Sequence, residues 1–288
     1  MRDDVRLRVA CVQNSARADW QASTEHALML AGQAVDDGAQ LIAFPEYFSG
    51  VRTDGARVVP AAFAHADHPA REACAVFARA RGVWLLLGSL GVESGDGRIF
   101  NRTYVLDPSG ATVAIYDKLH LFDVDLADGK TYRESATIAP GDEAVIAPTP
   151  WGGLGLSICY DLRFPLLYRA LAQAGARILA VPAAFTRTTG AAHWHTLVRA
   201  RAIETGAFVI APCQHGTLEG GAACYGHSLI VDPWGRVLAD GGEDDGFVCA
   251  DLDMAASDAA REAIPSLASD RSFEVVSIPA HAPSAAAE

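Results

Sequence analysis

The sequence predicts an α/β fold, and more narrowly a four-layer α-β-β-α sandwich. Short apolar runs of strand length alternate with segments of helical period along most of the chain. Two strand pairs are joined by hairpin signals, Asp107-Pro108-Ser109-Gly110 and Asp232-Pro233-Trp234-Gly235. Half of the 288 residues are hydrophobic, ample for a core between layers. Alternating β and α units mixed with hairpins imply two sheets with helices on their outer faces.

The first strand is expected over residues 7–13 (LRVACVQ). A helix follows over about 19–37, with Ala27, Leu30, Ala31 and Ala34 on one face and Gly38 at its end. Residues 41–44 form a buried strand that stops at Pro45-Glu46-Tyr47, and a second helix runs over 69–81 to Gly82. Residues 83–91 (VWLLLGSLG) form one continuous apolar strand, the pattern of a sheet covered on both faces. Strands at 99–106 and 112–116 make the first hairpin. The polar segment 117–141 has a length that, in a compact domain, usually marks function. Strands at 144–148 and 154–159 precede a helix from Pro165, which suits a first turn because its missing N–H is not needed there. Leu167, Leu171 and Ala174 then recur at helical spacing. Beyond lie a strand at 178–184, a helix at 191–204 ended by Gly206, and a strand at 208–212. The second hairpin spans 225–239, followed by a strand at 247–252 and a helix at 254–263. No linker-like composition interrupts residues 1–278, which are expected to form one domain. Residues 279–288 lack any apolar pattern and are expected to be disordered.

Lys and Arg number 23 against 35 Asp and Glu, a net charge of −12 that argues against nucleic acid and membrane surfaces as partners. No apolar run approaches the ~18 residues needed to span a bilayer. Met1-Arg2-Asp3-Asp4-Val5-Arg6 leads into a strand with no signal-peptide apolar region. The six cysteines, Cys11, Cys74, Cys159, Cys213, Cys224 and Cys249, contain no CxxC pair and fit neither a zinc site nor a disulfide framework. Thiols embedded in apolar runs are what a cytoplasmic protein keeps, so the expected setting is soluble and cytoplasmic.

Three polar residues lie at or just past predicted strand ends: Glu46 after LIAFP, Lys118 after ATVAIYD, and Cys159 after LGLSI. Sites gather there because several strands deliver side chains to one place. A carboxylate, an ammonium and a thiol in one cleft supply a base, an oxyanion donor and a nucleophile. A thiol at a strand end and ahead of a helix N-terminus also sits in a positive field expected to favour the thiolate. Singly, each residue has a plainer reading: Cys159 as a small buried hydrophobe, Glu46 as a turn carboxylate, Lys118 as a solvated charge. Together they favour a site.

Phe44-Pro45-Glu46, Tyr116-Asp117-Lys118-Leu119-His120-Leu121 and Cys159-Tyr160-Asp161-Leu162-Arg163-Phe164-Pro165 resemble, in order and spacing, the motifs of the nitrilase (carbon–nitrogen hydrolase) superfamily. The resemblance covers about residues 7–264. It implies the nitrilase-type sandwich, a homodimer or larger homo-oligomer, no cofactor and no metal, and hydrolysis of a non-peptide C–N bond through a cysteine thioester. It implies Cys159 as nucleophile, Glu46 as general base and then acid, and Lys118 with the Tyr160 backbone N–H as oxyanion donors. Glu134, in Tyr132-Arg133-Glu134-Ser135, holds the place of the family's second glutamate, which orients the lysine and the substrate nitrogen; its plainer reading is a loop charge.

Within the superfamily the wording around Lys118, around Ala202-Ile203-Glu204-Thr205-Gly206 and around Tyr225-Gly226-His227-Ser228 is similar to that of the small-amide hydrolases. That similarity implies an amidase releasing ammonia from a small carboxylate-bearing amide. Deaminated glutathione is the first expectation, and 2-oxoglutaramate or succinamate, the ω-amidase substrates, are the alternative. A substrate carboxylate needs a cation near Cys159. Arg163, four residues on, offers a matching planar fork, unless it is a structural ion-pair partner. Phe185, Thr186 and Thr188 follow the neighbouring strand and are expected to line the pocket. The reading from a different class is a binding module that kept the fold and lost turnover, which has no need of Glu46, Lys118 and Cys159 together.

Five other signals carry less. Gly129-Lys130-Thr131 lacks the earlier glycine of a phosphate loop, position 124 being Val124, and Gly152-Gly153-Leu154-Gly155 precedes a strand instead of linking strand to helix. His193 and His195, two apart on a helix, face different ways and make no metal pair. Asn101-Arg102-Thr103 fits a glycosylation sequon without meaning in a cytoplasmic protein. His120 is the histidine nearest the expected site, and a papain-like Cys–His pair would need it as base.

Overall fold

The strand Arg6–Gln13 is buried along most of its length because alternate residues serve different layers. Leu7, Val9 and Cys11 join the core shared by two sheets, while Ala10 and Val12 join the core beneath two helices. This is the computed structural model of the chain, which describes residues 5–55, 57–126, 129 and 131–277. The expected disordered tail, 279–288, lies outside them.

The first sheet runs in the order Gly246–Asp253, Arg6–Gln13, Leu41–Ala43, Trp84–Leu86, Ile99–Leu106, Leu90–Glu93 and Ala62–Phe63. Thr112–Asp117 and Ile138–Ala139 also pair with Ile99–Leu106. Helices α1 (Trp20–Asp36) and α2 (Pro69–Arg81) cover one face through Ala27, Leu30, Ala31, Ala70, Cys74 and Ala78. Helix α1 begins where the Asp19 carboxylate accepts the Gln21 and Ala22 N–H groups, the capping expected of Asp at that position.

The second sheet has the order Ile146–Thr149, Gly152–Gly155, Ala176–Ala180, Phe208–Ala211, Leu229–Val231 and Val237–Asp240. Helices α3 (Pro165–Gln173) and α4 (Arg187–Thr205) pack on it through Leu167, Leu171, Trp194, Val198 and Ala202. The layers are therefore α-β-β-α. Helix α5 (Ala255–Ala263) follows the last strand. Among the described residues no helix is long and apolar enough to cross a membrane.

Five elements depart from the sequence reading, and the plainest is the strand expected over 178–184, which is found at Ala176–Ala180. The expected strand 83–91 is two strands, Trp84–Leu86 and Leu90–Glu93. The break falls at Gly88 (φ 24°), where a Cβ would stand 2.0 Å from the Pro45 carbonyl oxygen. The strand expected to reach 159 leaves its ladder at Gly155, and the Ser157 hydroxyl donates instead to the Ala180 carbonyl. Helix α4 starts at Arg187, not 191, because Gly190 is kept for space: a Cβ there would meet the Tyr225 ring at 2.3 Å. The strand expected over 225–231 is interrupted at Gly226 and His227, both left-handed, so Ala223–Tyr225 pairs separately with His215–Thr217.

Two regions carry structure that periodicity did not resolve. The polar segment 117–141 contains the hairpin Asp123–Asp125/Thr131–Arg133, the 3-10 turn Glu134–Ala136 and the strand Ile138–Ala139. Between the first two helices lies a further hairpin, Val51–Asp54/Arg57–Pro60. Strands this short hold too few residues for an alternation to register.

Candidate active site

Each of three strand ends is fixed by its own local chemistry. After Leu41–Ala43 the chain turns at Pro45-Glu46-Tyr47 against Gly88. There the Gln214 side chain donates to the Glu46 carbonyl (2.6 Å) and the Tyr47 N–H donates to the Ser89 hydroxyl (3.0 Å). After Thr112–Asp117, the Lys118 N–H donates to the Asn101 carbonyl (3.0 Å) and Arg102 grips Asp117 through two 2.7 Å bonds. Cys159 opens a 3-10 helix, Cys159–Arg163, with φ 47°, a left-handed backbone that a non-glycine residue rarely adopts. Its N–H donates to the Pro182 carbonyl (2.8 Å).

The fully buried Asp161 joins two of these ends. Its Oδ2 accepts from the Ile158 N–H (2.8 Å) and the Tyr116 hydroxyl (2.6 Å), while its Oδ1 accepts from the His120 N–H (3.0 Å) and lies 2.7 Å from His120 Nδ1. One carboxylate thus ties the cysteine turn to the segment carrying Lys118. His120 is committed to this bond and stacks on Phe164 at 3.5 Å, which removes it as a base for Cys159.

Lys118 is 1% exposed and sits between two buried carboxylates. Its Nζ donates to Glu46 Oε1 (3.0 Å) and to Glu134 Oε1 and Oε2 (2.9 and 2.8 Å). The remaining contacts of both glutamates are equally specific. The Asn101 amide donates to Glu46 Oε1 (2.9 Å) and Glu134 Oε1 (3.3 Å), the Ala184 N–H to Glu46 Oε2 (2.8 Å), and the Phe122 N–H to Glu134 Oε2 (2.6 Å). The Cys159 thiol and the Glu46 carboxylate line the same cavity, near enough for each to shift the other's pKa.

Two carboxylates sharing one ammonium are pushed apart in pKa. Burial pushes Glu46 up, but the Lys118 charge, the neighbouring Cys159 thiol and hydrogen bonds from Lys118 and Ala184 outweigh it and hold the group below its ordinary value. Burial, with the neighbouring Glu46 charge, raises Glu134 despite Lys118. Burial alone would lower Lys118; Glu134 and Glu46 reverse that and hold it well above its usual range. The Cys159 thiol is pushed well up, by burial first and then by Glu46. This corrects the expectation of a helix-stabilised thiolate. Helix α3 begins only at Pro165, and the carboxylate beside the sulfur outweighs its field. The geometry is that of a neutral thiol beside its base.

Glu46, Lys118, Glu134 and Cys159 open on one cavity with about 660 Å³ of empty space, its mouth included. Tyr160, Phe185 and Thr186 line it. The Tyr160 N–H is the first amide after Cys159, at a helix start, where such groups have no intrahelical partner. Two expected residues are elsewhere. Arg163 is not among the lining residues: its guanidinium stands 5.4 Å from the Phe185 ring centre and meets His193 Nδ1 at 3.3 Å. Thr188 is exposed on the first turn of α4, and Thr189 lines the cavity in its place, because the helix starts earlier than periodicity suggested.

Three residues escaped the sequence reading. Asn101, set aside as a sequon, is fully buried and holds both glutamates; its signal was an amide in the middle of a buried strand. Asp161 had no signal beyond its motif. Tyr47 follows Glu46 with φ 53°, is 2% exposed, lines the cavity, and its hydroxyl has no hydrogen-bond partner among the described residues.

Comparisons with known proteins agree on one family. A family model described as carbon–nitrogen hydrolase matches residues 8–262. The deaminated glutathione amidase of Synechocystis is 39% identical over 263 residues, 90% of this chain and 96% of that protein. Human omega-amidase NIT2 is 32% identical over 266 residues, covering 92% and 95% respectively. Among solved structures, the C. elegans NitFhit protein matches with a TM-score of 0.84 at 34% identity, over 92% of this chain and 65% of that one.

Proposed function

This chain belongs to the carbon–nitrogen hydrolase family and is an amidase. From that premise we propose that it hydrolyses a small carboxylate-bearing amide through a thioester on Cys159, with deaminated glutathione as first substrate. The observation that supports this most is the buried Lys118 held between Glu46 and Glu134, with the Cys159 thiol facing the same cavity.

In the proposed cycle the amide carbonyl carbon receives the Cys159 sulfur while Glu46 takes the thiol proton. The oxyanion accepts from the Tyr160 N–H and from Lys118, which gives up one of its three carboxylate contacts; losing one such donor typically costs about 2.7–4 kcal/mol of transition-state stabilisation. Glu46 returns the proton to the leaving nitrogen, and the C–N bond breaks. A water, deprotonated by the same carboxylate, then splits the thioester and the thiol regains its proton. Glu134 holds Lys118 in place throughout. The leaving group depends on the amide: 2-oxoglutaramate gives ammonia, whereas deaminated glutathione has only secondary amides and gives an amine.

Among the described residues the charged side chains lining the cavity are Glu46, Lys118 and Glu134, and the lysine is committed to the glutamates. A substrate carboxylate therefore belongs toward the mouth, with the amide end inside. The ω-amidase reading keeps the same chemistry and is consistent with the similarity to human omega-amidase NIT2.

The test compares deaminated glutathione, 2-oxoglutaramate and propionamide, following amine release for the first and ammonia for the others. The acidic amides should exceed propionamide in kcat/KM by roughly tenfold or more, about the worth of one charge-assisted hydrogen bond, with deaminated glutathione ahead. A lead for 2-oxoglutaramate selects the ω-amidase reading; equal rates on propionamide remove the carboxylate requirement.

With this we propose one catalytic domain over residues 1–278 that works as a homodimer or larger assembly. Leu166 on α3, Phe273, Val275 and Val276 are more than three-quarters exposed, apolar surface that a second copy would cover. Sedimentation velocity should show no free monomer at micromolar concentration; a monomer alone would contradict the assembly. A reactive thiol and five further free cysteines fit a reducing, cytoplasmic setting.

A further inference from the structure

A second convergence of titratable side chains lies outside the cysteine site. His195 comes from α4, His227 from the left-handed break before Leu229–Val231, and Asp240 from the end of Val237–Asp240. His195 Nε2 stands 3.0 Å from Asp240 Oδ2, and His227 Nδ1 stands 2.9 Å from Asp240 Oδ1. One donor atom from each of the three lies within 4.8 Å of the other two. The side chains are 34%, 21% and 35% exposed, so water and ions reach them.

The frame around these atoms is stiff. His227 has φ 54°, a conformation that a non-glycine residue keeps only where its surroundings hold it. Its N–H donates to the Gly242 carbonyl (2.6 Å), its carbonyl accepts from Trp194 Nε1 (2.7 Å), and its ring stacks on Tyr225 at 4.5 Å. Asp240 Oδ1 also accepts the Gly242 N–H (2.9 Å), which orients the carboxylate as outer-shell partners of metal ligands do.

We propose that His195, His227 and Asp240 form a binding site for a divalent transition-metal ion of the zinc class. Two imidazole nitrogens and one carboxylate, with positions left for water, are a ligand set such ions accept. The nitrogen and oxygen mixture excludes the all-oxygen preference of magnesium and calcium. Ligands bound at about 2.0–2.1 Å around a four-coordinate ion stand roughly 3 Å or slightly more apart, close to the nitrogen–oxygen separations here. The ion replaces the two histidine–aspartate hydrogen bonds and takes no part in hydrolysis. Its place is structural: it joins α4 to the sheet. Trp194, beside His195, packs on Phe185 of the cavity wall with ring centres 5.0 Å apart.

The test is calorimetric titration of Zn²⁺ into metal-free full-length Cys159→Ala protein, which removes the thiol of the cavity as a competing ligand, with melting curves in parallel. One Zn²⁺ per chain should bind and raise Tm. His195→Ala and Asp240→Asn, both at partly exposed positions, should each weaken binding by at least ~10-fold and abolish the Tm rise. His26→Ala is the control: His26 and His215 flank Asp245 at 2.9 and 3.3 Å but do not form so close a trio. No saturable binding, or binding that survives His195→Ala and Asp240→Asn, or that is lost in His26→Ala, overturns the proposal.

Discussion

Lys118 shows how a single residue can be legible in sequence while its partners are not. A lysine this deeply buried keeps its proton only if anions close on it, and Glu46 and Glu134 do so from segments 72 and 16 residues away. Glu46, Lys118 and Cys159 were legible because each ends an apolar run, a position that exposes a side chain to a shared cleft. Asn101 was not, because a polar residue inside a strand announces burial only once its acceptors are known. Arg163 was misplaced for a related reason: four residues of separation from Cys159 say nothing of direction, and the 3-10 turn carries it toward Phe185 and His193. Tyr47 carries the prediction at this scale. A buried hydroxyl without a partner costs about 1–3 kcal/mol and is tolerated where a ligand will satisfy it. Tyr47→Phe should raise KM roughly fivefold, about 1 kcal/mol of lost binding, and change kcat less than twofold. An unchanged KM with a raised Tm would make the hydroxyl an unused orphan.

At the scale of elements, the errors in reading the sequence cluster at glycines and at short hairpins. Gly88 and Gly190 lie in runs that look regular and are kept because a neighbouring backbone or ring occupies the place of a Cβ. Both departures move the site: the first seats the Glu46 turn, and the second brings Thr186 and Thr189 to the cavity. Helix α2 was read with its bounds as found, Pro69 fixing one end and Gly82 (φ 66°) the other. His68, at its N-terminal boundary, gives a pH test. Burial pushes this histidine down to about 4, although Nε2 lies 3.2 Å from the Gly91 carbonyl oxygen. As pH falls, the unfolded chain takes up the proton first. The stability contributed by the neutral ring is therefore fully present above about 6.5 and is lost as pH falls toward about 4, with about 2 kcal/mol gone by pH 5. Urea unfolding at pH 7.5 and 5 should show that loss in the wild type and a smaller one in His68→Gln; equal losses would exclude His68 as the source.

For the whole molecule, the four layers were legible because long strands and helices impose periods of two and 3.6 that survive every local irregularity. Arg6–Gln13 alone reports both of its neighbouring layers through alternate residues. What no period carries is the meeting of distant segments. Asp161 with Tyr116 and His120, and His195 with His227 and Asp240, exist only once the two sheets are stacked and the loops between them are placed. The proposed chemistry rests on one such meeting, the sulfur of Cys159 with the Glu46–Lys118–Glu134 cluster. Intact-protein and peptide mass spectrometry after acid quench during turnover of the best amide tests it most directly. The expected result is an acyl mass on the peptide containing Cys159 that decays as substrate is exhausted, with neither adduct nor turnover in Cys159→Ala. Turnover that persists in Cys159→Ala, or an acyl group carried by another residue, would contradict it.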